Sequence, residues 1–239
     1  MTFISIYGDS LSLPRAGDAI PPEATYAELL RSRLGVRGIA ATVLNRSRGG
    51  ATIDELYRDY RNDLGYIGEA PGQVLIIQCG IVDCAPRPLS RRGRQVVGRL
   101  PAALRSPIVS FLHRKRAALL SRGVSFRYTQ PSRFAAVLDG WLRHAAPRCS
   151  RILVINIAPT TAETEQHSPG LTASIETFND LIAGAVRDVP NASVVDVHRI
   201  LSSSAAELTR CINESDGHHI TAAGHQLFAE AVETAIAAP

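Results

Sequence analysis

The order of hydrophobic and polar positions along the chain predicts five β-strands. Short runs rich in apolar and β-branched residues mark them. They read FISIY (3–7), IAATVLN (39–45), GQVLIIQCG (72–80), RILVINIAP (151–159) and ASVVDVH (192–198). The third run is almost entirely apolar, which is typical of a strand that is covered on both of its faces.

Helical spacing of apolar residues appears between these runs. In TYAELLRSRLG (25–35) the large apolar side chains share one helical face: Tyr26, Leu29, Leu30 and Leu34. Further helices are predicted in TIDELYRDY (52–60), RFAAVLDGWLRHA (133–145), SIETFNDLIAGAVRDV (174–189) and TAAGHQLFAEAVETAIA (221–237). Thr221 is expected to cap the last helix through its hydroxyl. Strands that alternate with helices predict an α/β fold, with a central parallel sheet and helices on both faces.

Polar motifs follow four of the predicted strands. GDS comes after the first, NRSRGG after the second, CGIVD after the third and NIAPT after the fourth. Because ligands of open parallel sheets bind outside the carboxyl ends of the strands, these motifs predict one shared crevice. The sequence has no internal repeat and no low-complexity linker, so we expect a single domain over residues 1–239.

Composition narrows the class of protein. The 239 residues are 45% hydrophobic and 20% charged, as in a soluble globular protein. No run approaches the roughly 20 apolar residues of a membrane span, and the opening MTFISIYGDS lacks a secretory signal, so we expect a cytoplasmic protein. The cysteines show neither a CxxC pair nor zinc spacing, which indicates buried thiols and no disulfide framework.

The net charge of +4 is distributed unevenly. No acidic residue occurs between Asp83 and Asp139, whereas arginines recur throughout this stretch, which we treat as a basic insert over about 84–138. It is either a solvated face, a helical lid whose arginines bind phosphate or carboxylate, or a nucleic-acid surface. Sparse aromatic residues argue against nucleic acid. As a lid, it is expected to line an acyl pocket with its apolar residues Ile108, Val109, Phe111, Leu112, Leu119 and Leu120.

Two short stretches carry candidate chemistry. Ser10 follows the first strand in GDS, a sequence that is also ordinary in turns. A serine hydroxyl becomes a nucleophile only when a base removes its proton and an acid orients that base. In ESDGHHITAAGH (214–225), Asp216 stands three residues before His219 and offers such a pair, although the same spacing also occurs at helix caps.

Four motifs occur in one order: GDSLS (8–12), a glycine loop after the second strand, GxxD after the third and DGHHIT (216–221) before the last helix. Together they resemble the SGNH hydrolases, also called the GDSL esterase/lipase family. The resemblance implies a three-layer α/β/α sandwich of flavodoxin-like order and a Ser-His-Asp catalytic triad.

The resemblance also implies roles for individual residues. Ser10 would be the nucleophile, and its own backbone N–H would be one donor of the oxyanion hole. Gly50, or alternatively Gly49, would give a second backbone donor. His219 would be the general base, with Asp216 as its orienting carboxylate.

The third motif departs from the family pattern. The family has Gly-x-Asn-Asp, whereas this chain reads Gly80, Ile81, Val82, Asp83. Val82 cannot donate a hydrogen bond, and losing one oxyanion donor costs about 10²–10³-fold in rate. Either Asn156 or Arg87 replaces the missing asparagine, or two donors suffice, or the site has been repurposed.

Further substrate contacts are expected from Asp9, Asp83 and His218. His218 is either a solvent-facing loop residue or a contact to the substrate. We expect no metal, because these three residues and His219 show no recognised ligand spacing. No cofactor is expected.

The leading hypothesis is an esterase that removes an acyl or acetyl group from a small-molecule, carrier-linked or sugar-linked substrate of anionic character. An O-acyltransferase with the same triad, or a catalytically degenerate binding protein, is the alternative. No nucleic-acid partner is expected, and the sequence gives no indication of oligomeric state.

Overall fold

A central parallel sheet organises the molecule. The structure, a computed structural model, describes residues 2–67 and 72–237. The strands are β1 (Thr2–Gly8), β2 (Ala41–Asn45), β3 (Val74–Gln78), β4 (Arg151–Ile155) and β5 (Ala192–Val195). All neighbouring pairs are parallel, in the order β2-β1-β3-β4-β5, which is the flavodoxin-like order. The five strands predicted from the apolar runs are thereby confirmed; β1 is one residue longer at each end than predicted, and the other four strands are shorter than their runs.

The described residues form twelve α-helices. In chain order these are α1 (Tyr26–Val36), α2 (Ile53–Ile67), α3 (Ile81–Cys84), α4 (Arg91–Gly98), α5 (Ala102–Arg114), α6 (Arg116–Ser121), α7 (Pro131–Ala145), α8 (Ala162–His167), α9 (Leu171–Arg187), α10 (Val197–Ser202), α11 (Ala205–Cys211) and α12 (Ala222–Ala237). Thr221 accepts a hydrogen bond from Gly224 N at 3.2 Å and so caps α12, as predicted. Each predicted helix is present, and no described helix is long and apolar enough to cross a bilayer.

Helices cover both faces of the sheet. Alternate residues of β3 point to opposite sides, so that Leu75 and Ile77 join one core while Val74 and Ile76 join the other. The first core lies under α2, α7 and α9 and contains the fully buried Trp141. The second lies under α1, α10 and α12. This is the three-layer α/β/α sandwich that the sequence predicts.

The basic insert is shorter than predicted. α7 buries Phe134, Val137 and Leu138 in the first core, so it belongs to the sandwich and the extra segment ends before Pro131. The segment itself holds α4, α5 and α6, and α5 is exposed along its length except for the half-buried Leu112. An antiparallel bridge joins its two ends: Arg87 N donates to Phe126 O at 2.9 Å, and Phe126 N donates to Arg87 O at 2.8 Å.

All four cysteines are buried and unpaired within the described residues, as predicted: Cys79, Cys84, Cys149 and Cys211. Burial raises the pKa of each thiol, which keeps it protonated and unreactive near neutral pH.

Candidate active site

Ser10 lies just beyond the carboxyl end of β1, the second strand of the sheet order. Gly8 ends that strand with no room for a side chain, because an added Cβ would collide with Ser12 Oγ and lie 2.9 Å from Ser47 Oγ. Asp9 then caps a one-turn 3₁₀ helix, accepting a hydrogen bond from Leu11 N at 3.0 Å. Ser10 therefore leaves the sheet on a tightly held turn.

His219 reaches Ser10 from the loop before α12. Its Nε2 lies 3.0 Å from Ser10 Oγ, and its Nδ1 lies 2.6 Å from Asp216 Oδ2. The two histidine contacts run in series, from the carboxylate through the imidazole to the hydroxyl. The structure thus brings together the three side chains to which the resemblance assigns the triad.

The loop that carries His219 is closed on itself. Ile212 and Ile220 form an antiparallel bridge at its ends, and Asn213 N donates to His219 O at 2.7 Å. Gly217 inside the loop has φ of +65°, and an added Cβ would collide with Thr164. A side chain at this position would disturb both the turn and its contact with α8.

Asp216 remains ionised in this setting. Burial opposes ionisation, but the hydrogen bonds from the His219 ring and backbone outweigh burial and hold the pKa of Asp216 below its ordinary value. Arg15 Nη2 lies 3.4 Å from Asp216 Oδ2 and adds a positive charge. An ionised Asp216 holds the proton on Nδ1 of His219, which leaves the Nε2 lone pair directed at Ser10.

His218 lines the cleft. Its side chain is 36% exposed, and its Nδ1 lies 2.8 Å from Asp216 O. Burial, followed by the neighbouring His219, lowers the pKa of His218 and favours the neutral ring.

One ligand atom from each of Asp216, His218 and His219 lies within 4.8 Å of the others, so these residues meet the distance criterion for a metal site. The 2.6 Å contact between His219 and Asp216 is a hydrogen-bond length that an intervening cation would have to break. The donor set therefore suits a hydrogen-bonded dyad better than a metal centre.

A cleft of about 420 Å³ opens beside Ser10. The basic insert contributes Ala85, Arg87, His113 and Arg116 to its wall. The region from α8 to the start of α9 contributes Glu163, Thr164, His167, Ser168 and Leu171. The expected acyl pocket of insert apolar residues is wrong: Val109 and Phe111 are each 51% exposed, Leu120 is buried, and none of the six lines the cleft. The insert presents the polar side chains of Arg87, His113 and Arg116 to the cleft instead.

Of the two candidate replacements for the oxyanion asparagine, Asn156 does not fit the geometry. Asn156 Nδ2 donates to Asp196 Oδ1 at 2.7 Å, and its Oδ1 accepts from His198 N at 3.0 Å, so its amide is engaged away from the cleft. Arg87 Nη1 donates to the carbonyls of Val82 and Ala85 at 2.8 and 3.0 Å. Arg87 lines the cleft and its Nε and Nη2 make no hydrogen bond among the described residues, so Arg87 stays a candidate donor.

Two acidic residues that were expected to contact substrate are buried and accept hydrogen bonds from neighbouring protein groups instead. Asp83 accepts from Ile53 N at 3.2 Å and from the Thr129 hydroxyl, which ties α3 to the start of α2. Asp9 accepts from Leu11 N and, at 3.2 Å, from Gln78 Nε2. Both are 0% exposed, and burial raises the pKa of Asp9 to about 6 and that of Asp83 to about 7.

The glycine loop after β2 runs beside the nucleophile. Arg48 N donates to Gly8 O at 2.9 Å, which places the Gly49–Gly50 turn next to the end of β1. Both glycines are exposed. Val82, in the altered third motif, lines the cleft close to Ser10.

Several residues of the site were not predicted from the sequence: His113, Arg116, His167 and Ser168 line the cleft, and Arg15 contacts Asp216. The polar motif after β4 was a usable signal for His167 and Ser168, since the segment that follows this motif folds over the same sheet edge. Arg116 stood out only as one of many arginines.

Comparisons with known proteins agree with the fold. The sequence profile of the GDSL-like lipase/acylhydrolase family matches residues 6–227, and no curated protein sequence matches the chain. The structure of the lipase/acylhydrolase from Enterococcus faecalis is similar, with 14% identity and a TM-score of 0.66 over 99% of this chain and 95% of that one. Axe2, an acetylxylan esterase from Geobacillus stearothermophilus, has 16% identity and a TM-score of 0.63 over 99% and 94%. TesA also has 16% identity and a TM-score of 0.63, over 98% of each chain.

Proposed function

Because this chain belongs to the GDSL-like lipase/acylhydrolase family, whose members include SGNH-type esterases, we propose that it hydrolyses esters through Ser10, His219 and Asp216. The observation that carries the proposal is the series of two contacts, 3.0 Å from Ser10 Oγ to His219 Nε2 and 2.6 Å from His219 Nδ1 to Asp216 Oδ2. Both distances lie within the range at which a proton can be transferred or held.

The reaction proceeds in two halves. In the first, Ser10 Oγ attacks the ester carbonyl while its proton passes to His219 Nε2, and the imidazolium then protonates the departing alcohol. This leaves an acyl group on Ser10. In the second half, His219 takes a proton from water, the hydroxide attacks the acyl-serine, and the proton returns to Ser10 as the carboxylic acid leaves. Asp216 stabilises the imidazolium in both halves.

The negative oxygen of each tetrahedral intermediate needs hydrogen-bond donors. We assign this role to the backbone N–H groups of Ser10 and Gly50, which flank the end of β1. The side chain at Val82 adds nothing, so the enzyme works with two donors. The expected cost of about 10²–10³-fold is smaller than the acceleration of at least about 10⁶-fold that enzymes typically provide.

The assembled geometry argues against a degenerate binding protein, since such a protein has no need to hold an imidazole 3.0 Å from a serine hydroxyl. An O-acyltransferase would use the same first half and deliver the acyl group to an alcohol instead of water.

A fluorophosphonate probe tests the proposal directly. Such a probe phosphonylates an activated serine, and mass spectrometry of the peptides locates the label. We expect stoichiometric labelling at Ser10, lost in His219→Ala and kept in Ser203→Ala, which removes an exposed hydroxyl bound to Ile200 O. Absence of labelling in a folded wild-type protein, or labelling at another serine, would exclude the proposed nucleophile.

A further inference from the structure

Two guanidinium groups of the basic insert face the cleft beside Ser10. Arg87 lies where the insert leaves the sandwich, and its guanidinium carbon is 4.0 Å from the centre of the Tyr128 ring. Arg116 begins α6; its Nε donates to Ser168 Oγ at 2.5 Å and its Nη2 to Pro86 O at 2.7 Å. Both side chains are half-buried, and both line the cleft.

These contacts fix the two guanidinium groups without using all their donors. Arg87 binds protein carbonyls only through Nη1, and Arg116 uses Nε and Nη2. Within the hydrogen bonds of the described residues, Nε and Nη2 of Arg87 and Nη1 of Arg116 stay unengaged. A guanidinium held on a carbonyl or an aromatic ring loses little further entropy when it binds a ligand.

The charge of the pair is also unbalanced. Some arginines of this region have a carboxylate partner; Arg91 reaches Glu55 at 2.6 Å, and Arg133 pairs with Asp54. No carboxylate of the described chain lies within 4.0 Å of either Arg87 or Arg116.

Burial lowers the pKa of both arginines, and Arg87 adds to the lowering at Arg116. Two half-buried cations that repel each other are stabilised by an anion between them.

The remaining titratable groups of the cleft are mixed in sign. Glu163, Glu214 and Asp216 lie on the walls formed by α8 and the His219 loop, together with His167 and His218. His113 lies on the insert side with the two arginines. The positive charge is therefore concentrated on the insert wall, whereas the carboxylates of the cleft belong to other segments.

We propose that Arg87 and Arg116 form an anion subsite that binds the phosphate or carboxylate group of an ester substrate while its carbonyl lies at Ser10. This inference rests on the proposed esterase function and names the class of its substrate: a small acyl ester with an oxyanion on the same molecule. Phosphate and carboxylate share the oxygen geometry that a guanidinium fork binds with two parallel hydrogen bonds.

Three acetyl esters of one phenol series test the subsite: phenyl acetate, para-acetoxybenzoate and para-acetoxyphenyl phosphate. In Arg87→Gln and Arg116→Gln, the ratio of kcat/KM for the anionic esters to kcat/KM for phenyl acetate is expected to fall by about 10- to 100-fold, through KM, as loss of charge-assisted hydrogen bonds predicts. The larger of the two anionic effects identifies phosphate or carboxylate as the preferred group.

Two control variants distinguish loss of anion binding from a general effect of removing an arginine. Arg105→Gln removes the same charge from the exposed face of α5, outside the cleft, and is expected to keep the wild-type ratio. Arg116→Lys keeps the charge without the fork and is expected to give an intermediate ratio. A ratio that is unchanged in both cleft variants, or lowered equally by Arg105→Gln, overturns the subsite.

Direct binding distinguishes failure of the subsite from failure of the esterase proposal. Calorimetry with phenyl phosphate and benzoate, which lack an ester carbonyl, is expected to show binding to the wild type that weakens in Arg87→Gln and Arg116→Gln. If no ester is hydrolysed but this binding depends on the arginines, the subsite stands and the esterase proposal fails. If Ser10-dependent hydrolysis occurs and the arginines affect neither binding nor the ratio, the esterase proposal stands and the subsite fails.

Discussion

Asp216 binds His219 through both of its carboxylate oxygens. Oδ2 lies 2.6 Å from the ring Nδ1, and Oδ1 lies 2.9 Å from the backbone nitrogen of the same residue. One side chain therefore fixes the position of the loop and the tautomer of the ring. The two tasks respond differently to substitution.

Asp216→Asn should keep the position of the loop while changing the tautomer of the His219 ring. The amide oxygen can still accept the backbone N–H of His219, while the amide nitrogen then faces Nδ1 and forces the ring proton onto Nε2, where it cannot accept from Ser10. We expect kcat for phenyl acetate to fall by about 10³–10⁴-fold with little change in melting temperature. Asp188→Asn, at an exposed position, serves as the control. A loss below about tenfold would contradict the assigned tautomer.

Val82→Asn should restore the side-chain donor that the family pattern has at this position. The new amide would lie on the cleft wall beside Ser10 and supply a third hydrogen bond to the oxyanion. We expect kcat for acetyl esters to rise by about tenfold, a part of the 10²–10³-fold that one donor provides. Val82→Leu, which is close to asparagine in size and has no hydrogen-bond donor, is the control. An unchanged kcat in a folded Val82→Asn protein would mean that the oxyanion lies elsewhere.

Short acyl chains should be preferred. Burying one CH₂ group in apolar surroundings gains about 0.8 kcal/mol, or roughly fourfold in affinity. The apolar side chains of the cleft are few: Ile81, Val82, Ala85 and Leu171. We therefore expect kcat/KM for phenyl octanoate to equal or fall below that for phenyl acetate, measured below the concentration at which the ester aggregates. A steady increase with chain length would show an acyl-binding surface outside this cleft.

Buried Asp83 should make stability depend on pH. Its folded pKa of about 7 lies above the ordinary value of about 3.9, so the native state holds a proton that the unfolded state has released. The contribution of Asp83 to the free energy of unfolding should therefore fall as pH rises between those two values, by at most about 1.4 kcal/mol per pH unit for one proton. Asp9, with a pKa of about 6, acts in the same direction.

Urea unfolding of the wild type and Asp83→Asn across this pH range measures the contribution of Asp83. Asp83→Asn should lose this decrease, while the contributions of Asp9 and of His225, whose pKa burial lowers to about 4 and which acts in the opposite direction, remain. Asp180→Asn, which removes an exposed carboxylate, should retain the wild-type slope. Parallel slopes in the wild type and Asp83→Asn would mean that Asp83 is ionised in the folded protein.

The sheet was predictable because its strands are buried on both faces, and continuous apolar runs follow from that burial. The ends of the strands were harder to predict. The run 72–80 predicts a longer strand than the observed Val74–Gln78, since the apolar run continues into the turn that carries Gly80. Ser10, Asp216 and His219 stand in short motifs whose order is visible in the sequence, and the structure brings their side chains into contact.

The other side chains at the strand ends could not be assigned from sequence. A position at a strand end does not determine which way a side chain points, and partners far along the chain decide it. Asn156 is engaged by Asp196, and Asp83 by Thr129. Arg116 was hidden for a related reason: most apolar side chains of the insert helices are exposed, so the apolar pattern does not show which helix face turns towards the cleft.

The bridge between Arg87 and Phe126 has a consequence for how such a protein can diversify. Residues 88–125 leave the sandwich and rejoin it at adjacent backbone positions. We therefore expect that this segment can be exchanged, shortened or lengthened while the strands keep their positions. It carries His113 and Arg116, whereas the nucleophile and its base come from the fixed scaffold. Replacing this one continuous segment can therefore change which substrates bind, while the residues that cleave the ester stay the same.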